Sequence, residues 1–346
     1  MKNLPLEEAM VRALERQLPT ATAKSYEIRY FAIKEKLYSE VLEWIRSKEP
    51  SLTDHSAKHV DNLLNNIYKL IPEELENAGN AGSALSGADV YFLAVTALFH
   101  DVGNLFGRER HNQTAITLLN EKFDSFFQEA NKREKILIYR AARAHTGKGE
   151  DTSADTLKDL EKREQLNGEP IRFQDIAAIV RFADELAEGP QRTSSYALSK
   201  GIFDPASSIY HRYASTTHIH IDPKNERISI AYEIEINTDS NHNILKEEEE
   251  SLRELLNFIH ERIYKLDAER KYCSFYCALL SPIKKIVANF SFHNNGLPID
   301  FKVEPLTLND LVVPTKHIGD HSKKPHGRDD LSADIIIEKL KIHLKS

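Results

Sequence analysis

Fifteen histidines occur in this chain of 346 residues, and the position of one poses the first chemical question. The stretch "VYFLAVTALFHD" (90–101) is apolar until it ends in His100 and Asp101, side by side. Polar residues closing a core helix need a partner. Further imidazoles and carboxylates sit on other segments with helical apolar patterns: His59, His111, His145 and Asp184. Asp184 is the most telling. Ile179, Val180, Phe182, Ala183 and Leu186 surround it in sequence, so an ionised carboxylate there is costly unless a cation pairs with it. Imidazole nitrogen together with carboxylate oxygen suits a divalent transition ion such as Mn, Fe, Co, Ni or Zn, with Mg as a further candidate. Neighbours on a regular helix diverge by about 100°, so His100 and Asp101 can face one ion only near a helix end. Gly103 is expected to let the backbone turn away there.

The elements that must position these groups are mostly helices. "SYEIRYFAIKEKLYSEVLEWIRSK" (25–48) puts Ile28, Phe31, Ile33, Leu37, Val41 and Ile45 near one stripe. "SLTDHSAKHVDNLLNNIYKLI" (51–71) reads as a helix with Thr53 or Asp54 as N-cap and Val60, Leu63, Leu64 and Ile67 inward. More helices are expected at about 111–127, 131–145 and 173–188, with a polar surface excursion over 146–170. The register changes after residue 200. Alternation over 211–237 around "DPKNE" predicts a β-hairpin, followed by a charged helix over about 243–268, a strand at 281–292 and a closing helix from Leu331 to Leu344. The fold class expected is mainly α, with a helical domain over 1–200 and a smaller α+β domain over 201–346.

Hydrophobic residues make up 41% and charged residues 29%, the balance of a globular chain. No apolar run reaches eighteen residues, and the N-terminal stretch lacks the apolar region of a signal peptide. Cys273 and Cys277 have no second pair with which to build a zinc site or a disulfide framework. A cytoplasmic protein without a membrane partner is expected. The net charge of −7 disfavours broad nucleic-acid binding. The remaining histidines, including His218 and His220 on one strand face, read as structural, and "KEEEE" (246–250) as a solvated helix face.

With "DHSAKHVDNLL", "FHDVGN" and "RFADELAE" in this order, the chain resembles the HD superfamily of metal-dependent phosphohydrolases over roughly residues 50 to 195, and so an HD-type helical bundle is implied. The resemblance makes His59, His100, Asp101 and Asp184 the metal ligands. It places His111 and His145 where two-metal branches carry further histidines, to hold a second ion or contact substrate phosphate. Many two-metal members have lysine at the position of Asn104, and a "GYP" motif after His145 is lacking; both features set the chain apart from cyclic-dinucleotide phosphodiesterases. A bound ion would supply hydroxide from its water near neutral pH and neutralise phosphoryl oxygens. Asp101 would also orient the attacking water, and His55, His111 and His145 are candidates for proton transfer or phosphate contact. Arg108, Arg110, Arg143, Lys148, Arg181 and Arg192 are candidate phosphate clamps.

The expected function is hydrolysis of a phosphoester or phosphoanhydride bond in a small nucleotide, leaning to a deoxynucleoside triphosphate. HD relatives include triphosphohydrolases, nucleotidases, alarmone hydrolases and cyclic-nucleotide phosphodiesterases. The "TDH…H" opening also resembles HD domains of bacterial conflict and anti-phage systems, which makes a defence-system protein or a second copy of the chain a candidate partner. The alternatives are an HD-type nuclease or cyclic-(oligo)nucleotide phosphodiesterase, and a non-catalytic nucleotide-sensing module.

Overall fold

A computed structural model describes residues 3–48, 52–109, 111–127, 132–146, 154–310 and 328–345. The chain divides into two compact units, Met1–Ala187 with Glu269–Pro282, and Glu188–Ala268 with Ile283–Ser346. The division begins at Glu188, and the second unit is interrupted by the return of Glu269–Pro282 to the first.

The first unit is built on helices α1 (Pro5–Gln17), α2 (Thr20–Leu37), α3 (Glu43–Lys48), α4 (Ala57–Leu70), α5 (Pro72–Asn77), α6 (Gly87–Phe99), α7 (His111–Glu121), α8 (Lys132–Arg143) and α9 (Phe173–Glu185). Every residue of α6 is buried, so this helix is the axis on which the others pack. Gly87 makes one of those contacts close: a Cβ there would lie 2.6 Å from the Ala13 carbonyl oxygen of α1. Asp89 sets the start of two helices at once. One carboxylate oxygen closes a capping box with Ser86, and the other accepts the Arg172 N–H at 2.6 Å, at the start of α9. Helices α6 and α9 are each 13 residues long. Starting at one carboxylate and running side by side, they bring His100 and Asp184 to the same level.

Some boundaries differ from those expected. The N-cap of α4 is Ser56, whose hydroxyl accepts from the Lys58 N–H, because Thr53 and Asp54 belong to the loop before it. The helix expected over 25–48 is broken by a π-helical turn at Tyr38–Leu42, where Tyr38 Oη donates to Asp61 Oδ1 at 2.7 Å. Its buried face runs through Ala23, Tyr26, Tyr30, Ile33, Lys34 and Leu37, which leaves Ile28 exposed. Within the stretch read as a surface excursion lies a small hairpin, β1 (Glu164–Leu166) and β2 (Glu169–Ile171), turning at Asn167 and Gly168 with φ of 52° and 91°.

The second unit contains α10 (Ser195–Ser199), α11 (Pro205–Thr216), β3 (Thr217–Asp222), β4 (Arg227–Ile236), β5 (Lys285–Asn294), β6 (Leu297–Pro298), β7 (Leu306–Asn309) and α13 (Ala333–His343). Most of α12 (Lys246–Tyr276) belongs to it too. Residues 211–216, expected at the start of a strand, complete α11, and the hairpin begins only at Thr217. Strands β3 and β4 pair antiparallel from Thr217↔Tyr232 to Asp222↔Arg227, and β4 pairs parallel with β5 across the α12 crossover. Alternation along β4 buries Ile228, Ile230, Tyr232, Ile234 and Ile236 on one face. His218 and His220 point to the exposed face of β3. The molecule is mainly helical with a C-terminal sheet region, as the residue pattern implies. Among the described residues no single helix is long and apolar enough to cross a membrane.

Candidate metal centre

Each ligand candidate arrives from a different element, for a local reason. The buried face of α4 carries Val60, Leu63, Leu64 and Ile67, and His59 shares it in the first turn. Helix α6 stops at Phe99, His100 is its C-cap, and the chain turns at Asp101 with φ −113° and ψ 5°. The turn is therefore at Asp101 and not at Gly103, which lies in the short 3-10 helix Val102–Phe106. Gly103 is required for a different reason: a Cβ there would collide with the His111 carbonyl oxygen at the start of α7. Asn104 is buried, and both its N–H and its side-chain amide donate to the Asp101 carbonyl at 3.0 Å. In this chain that position fixes the backbone carrying the carboxylate.

Asp101 stands at the centre. Its Oδ2 lies 3.4 Å from His100 Nε2, 3.6 Å from His55 Nε2 and 3.7 Å from His59 Nε2. Its Oδ1 lies 3.3 Å from His145 Nε2 and 3.4 Å from His111 Nε2. Asp184 Oδ1 closes the first side at 3.2 Å from His59 Nε2 and 3.5 Å from His100 Nε2. Two groups of donor atoms result, each within 4.8 Å of one another: His59, His100, Asp101 and Asp184, and then Asp101, His111 and His145. They share the Asp101 carboxylate. The Asp184 side chain is 23% exposed while the Asp101 side chain is 6% exposed, so the first group is reached from the Asp184 side.

The ring tautomers show what these atoms face. Nδ1 of His100, His111 and His145 lies 2.8, 3.1 and 2.6 Å from the carbonyl oxygens of Ala97, Arg108 and Ala142. His55 Nδ1 lies 2.5 Å from the Thr53 carbonyl oxygen. A carbonyl only accepts, so each Nδ1 carries the proton and a neutral ring turns the Nε2 lone pair toward the carboxylates. Lone pairs facing carboxylate oxygens repel unless a cation lies between them. Among the described residues, Asp101 Oδ1 and His111 Nε2 are buried without a hydrogen-bond partner, which fits an ion as their shared partner.

The protonation states follow the same logic. Burial opposes charge on His100, but Asp101 and Asp184 outweigh it and push the imidazole up to about 10. In the absence of a metal, a proton is the cation these carboxylates can hold. Burial likewise opposes charge on the two aspartates, yet the imidazoles around them, His100 foremost for both, hold them well below the usual carboxylate range. Burial pushes His111 down to about 4, against the pull of Asp101. It is neutral at pH 7 and available to ligate.

The described candidates for phosphate clamps stand in different surroundings. Arg108 is exposed beside the site, with Nη1 donating to Asn104 Oδ1 at 3.4 Å. Arg143 is half-buried in the last turn of α8. Arg181 is buried in a two-pronged ion pair with Glu269, both contacts at 2.7 Å; this occupied guanidinium is a structural tie. Arg192 belongs to the second unit, 3.8 Å from Glu188. Arg110, Lys148 and the histidines at 317, 321 and 326 lie outside the described residues.

A family model, HD-CE, matches residues 49–265, more than half of the chain, and that stretch contains every member of both groups. The chain belongs to the HD-CE family. No curated protein matches it, and no solved structure does. An HD-type domain with a His/Asp cluster able to hold a divalent ion supports a metal-dependent hydrolase.

Proposed function

We propose that this HD-CE protein hydrolyses a phosphoester or phosphoanhydride bond of a small nucleotide, with a deoxynucleoside triphosphate as the leading substrate, and that it uses two divalent ions, Asp101 belonging to the ligand group of each. The observation that carries this reading is the Asp101 carboxylate, faced on both oxygens by imidazole Nε2 atoms whose Nδ1–H groups are given to the backbone. His59, His100, Asp101 and Asp184 would hold one ion and Asp101, His111 and His145 the other, with nitrogen and oxygen donors suited to Mn, Fe, Co, Ni or Zn. Bound there, the ions would supply hydroxide near neutral pH and offset phosphoryl charge.

The chain's own groups do the rest. Asp101 accepts and orients, because it stays ionised far below neutral pH. His55, buried with Nε2 3.6 Å from Asp101 Oδ2, would move a proton on the first side. Arg108 is the described exposed cation nearest in sequence to the Asp101 turn, and serves phosphate contact on the second. The resemblance to HD domains of conflict systems supports a role in anti-phage defence with a partner protein.

The test is elemental analysis of wild type and Asp101→Ala, with Mn-supplemented hydrolysis of a nucleotide panel on the same samples. Wild type should hold near two equivalents of transition ion and release phosphate, pyrophosphate or triphosphate, and the variant should do neither. A metal-loaded wild type that degrades only polynucleotides would replace this reading with a nuclease. A metal-free wild type unaffected by Asp101→Ala would end it.

A further inference from the structure

Resting on that two-ion reading, the geometry points to a positioning device for His145, built from Thr156, Arg181 and Glu269. We propose that these three residues, none of them a ligand candidate, hold the second group in register and set the affinity of its ion.

His145 does not sit inside a helix. It follows the end of α8, in turns closed by the Ala144 N–H to Ala141 O and the His145 N–H to Ala142 O, each at 3.2 Å. Such a terminal turn is easily frayed unless its free carbonyls are held. They are held from across the chain. Thr156 Oγ1 lies 2.8 Å from the carbonyl oxygen of Ala144 and 3.1 Å from that of Thr146, so one hydroxyl spans the residues on either side of His145. Carbonyl oxygens only accept, so the hydroxyl proton is directed to them, while Arg181 Nη1 donates to Thr156 Oγ1 at 2.8 Å. Arg181 is in turn fixed by the Glu269 carboxylate through Nε and Nη2, both at 2.7 Å, and by the Tyr272 ring, 4.4 Å beneath the guanidinium.

The device reaches the other imidazole as well. Thr146 Oγ1 accepts from Asn112 Nδ2 at 3.0 Å, and Asn112 adjoins His111. Within the first group, His59 and His100 stand on α4 and at the end of α6, and Asp184 stands on α9 three residues from Arg181, while the described bonds of the Thr156 hydroxyl to carbonyls go to the residues flanking His145. Glu269 lies beyond the residues matched by the family model, and it belongs to the same compact unit as His145. Partners that orient metal ligands typically alter affinity by about 10–100-fold when removed. A tie acting through the backbone belongs at the lower end of that range.

The experiment is calorimetric titration of Mn into the metal-stripped full chain, for wild type, Thr156→Val, Thr156→Ser and Glu269→Gln. Thr156→Val keeps the branched shape, puts a methyl in place of the hydroxyl and leaves the Arg181–Glu269 pair intact, so it remains informative where Glu269→Gln, which leaves Arg181 buried without its carboxylate, fails to fold. The first ion should bind Thr156→Val as it binds wild type, and the second about tenfold more weakly. Thr156→Ser should restore wild-type affinity, and a folded Glu269→Gln should behave as Thr156→Val does. Equal weakening of both ions would overturn the proposal, since the hydroxyl would then serve the fold and not the second group. Unchanged affinities for both ions in Thr156→Val would also overturn it. A wild type that takes up a single ion would refute the two-ion reading and this inference with it, a failure seen without any variant.

Discussion

Replacing Gly103 by alanine tests the link between packing and the site most directly. No left-handed backbone angle requires glycine there, so the effect is one of space alone. A Cβ would lie 2.7 Å from both the His111 carbonyl carbon and Thr114 Oγ1, and closer still to the His111 carbonyl oxygen. Restoring ordinary contact of about 3.5 Å to the carbon alone moves the start of α7 by about 0.8 Å. Metal–ligand distances tolerate about 0.2 Å, so the displacement exceeds the tolerance roughly fourfold and His111 leaves the second group. The Thr114 hydroxyl, 3.1 Å from the Gly103 carbonyl oxygen and 3.2 Å from that of His111, is caught in the same clash. Overpacking of this kind costs about 1–3 kcal/mol. Gly87→Ala is the control. Its Cβ would press on α1 at 2.6 Å from Ala13 O and 2.9 Å from Leu14 Cα, far along α6 from His100. Urea unfolding should show both variants destabilised by about 1–3 kcal/mol, while Mn titration should show the second ion lost from Gly103→Ala and retained by Gly87→Ala. A Gly103→Ala protein that binds both ions with wild-type affinity would refute the argument.

Three further outcomes are expected. Elemental analysis should find that Asp184→Ala removes the first ion, His145→Ala the second and Asp101→Ala both, because only Asp101 belongs to both groups. Glu134 is fully buried and accepts from Arg29 Nη2 at 2.9 Å and Tyr91 Oη at 2.6 Å. Glu134→Ala strands the Arg29 charge and should cost on the order of 3–5 kcal/mol in urea unfolding. In the second unit, burial pushes His260 down to about 4. The unfolded chain then binds the proton more tightly than the folded one, so His260 costs no stability above about pH 6.5. The stability lost as pH falls from there to about 4 is on the order of 3 kcal/mol. His260→Phe should flatten the unfolding free energy over that window, and an unchanged slope would count against burial as the cause.

The ligand candidates were legible in sequence because the cost of burying a polar group belongs to the residue itself. His100 and Asp101 ending an apolar run, and Asp184 among Ile179, Val180 and Phe182, announce a partner before any fold is known. The helical pattern was legible for the same reason, since it records which face is buried. The hairpin at Glu164–Ile171 carried its own signal in Asn167–Gly168, a pair suited to a left-handed turn, but strands of three residues give alternation nothing to work on. The π-helical turn at Tyr38 has no local mark in the sequence, and the bond its hydroxyl makes there goes to Asp61, 23 residues away. Arg181 shows the limit most clearly. Read beside "FADEL" it looks like a cation waiting for phosphate, but its carboxylate is Glu269, 88 residues on. Asn104 looked like the loss of a family lysine and is instead the residue that clasps the Asp101 carbonyl. Chemistry-bearing residues declare themselves by being costly where they stand, whereas the residues that hold them in place are ordinary in their own surroundings. Only the pairing across the fold gives Thr156, Arg181 and Glu269 a role, and so the supports of this centre are found in its structure while its ligand candidates are found in its sequence.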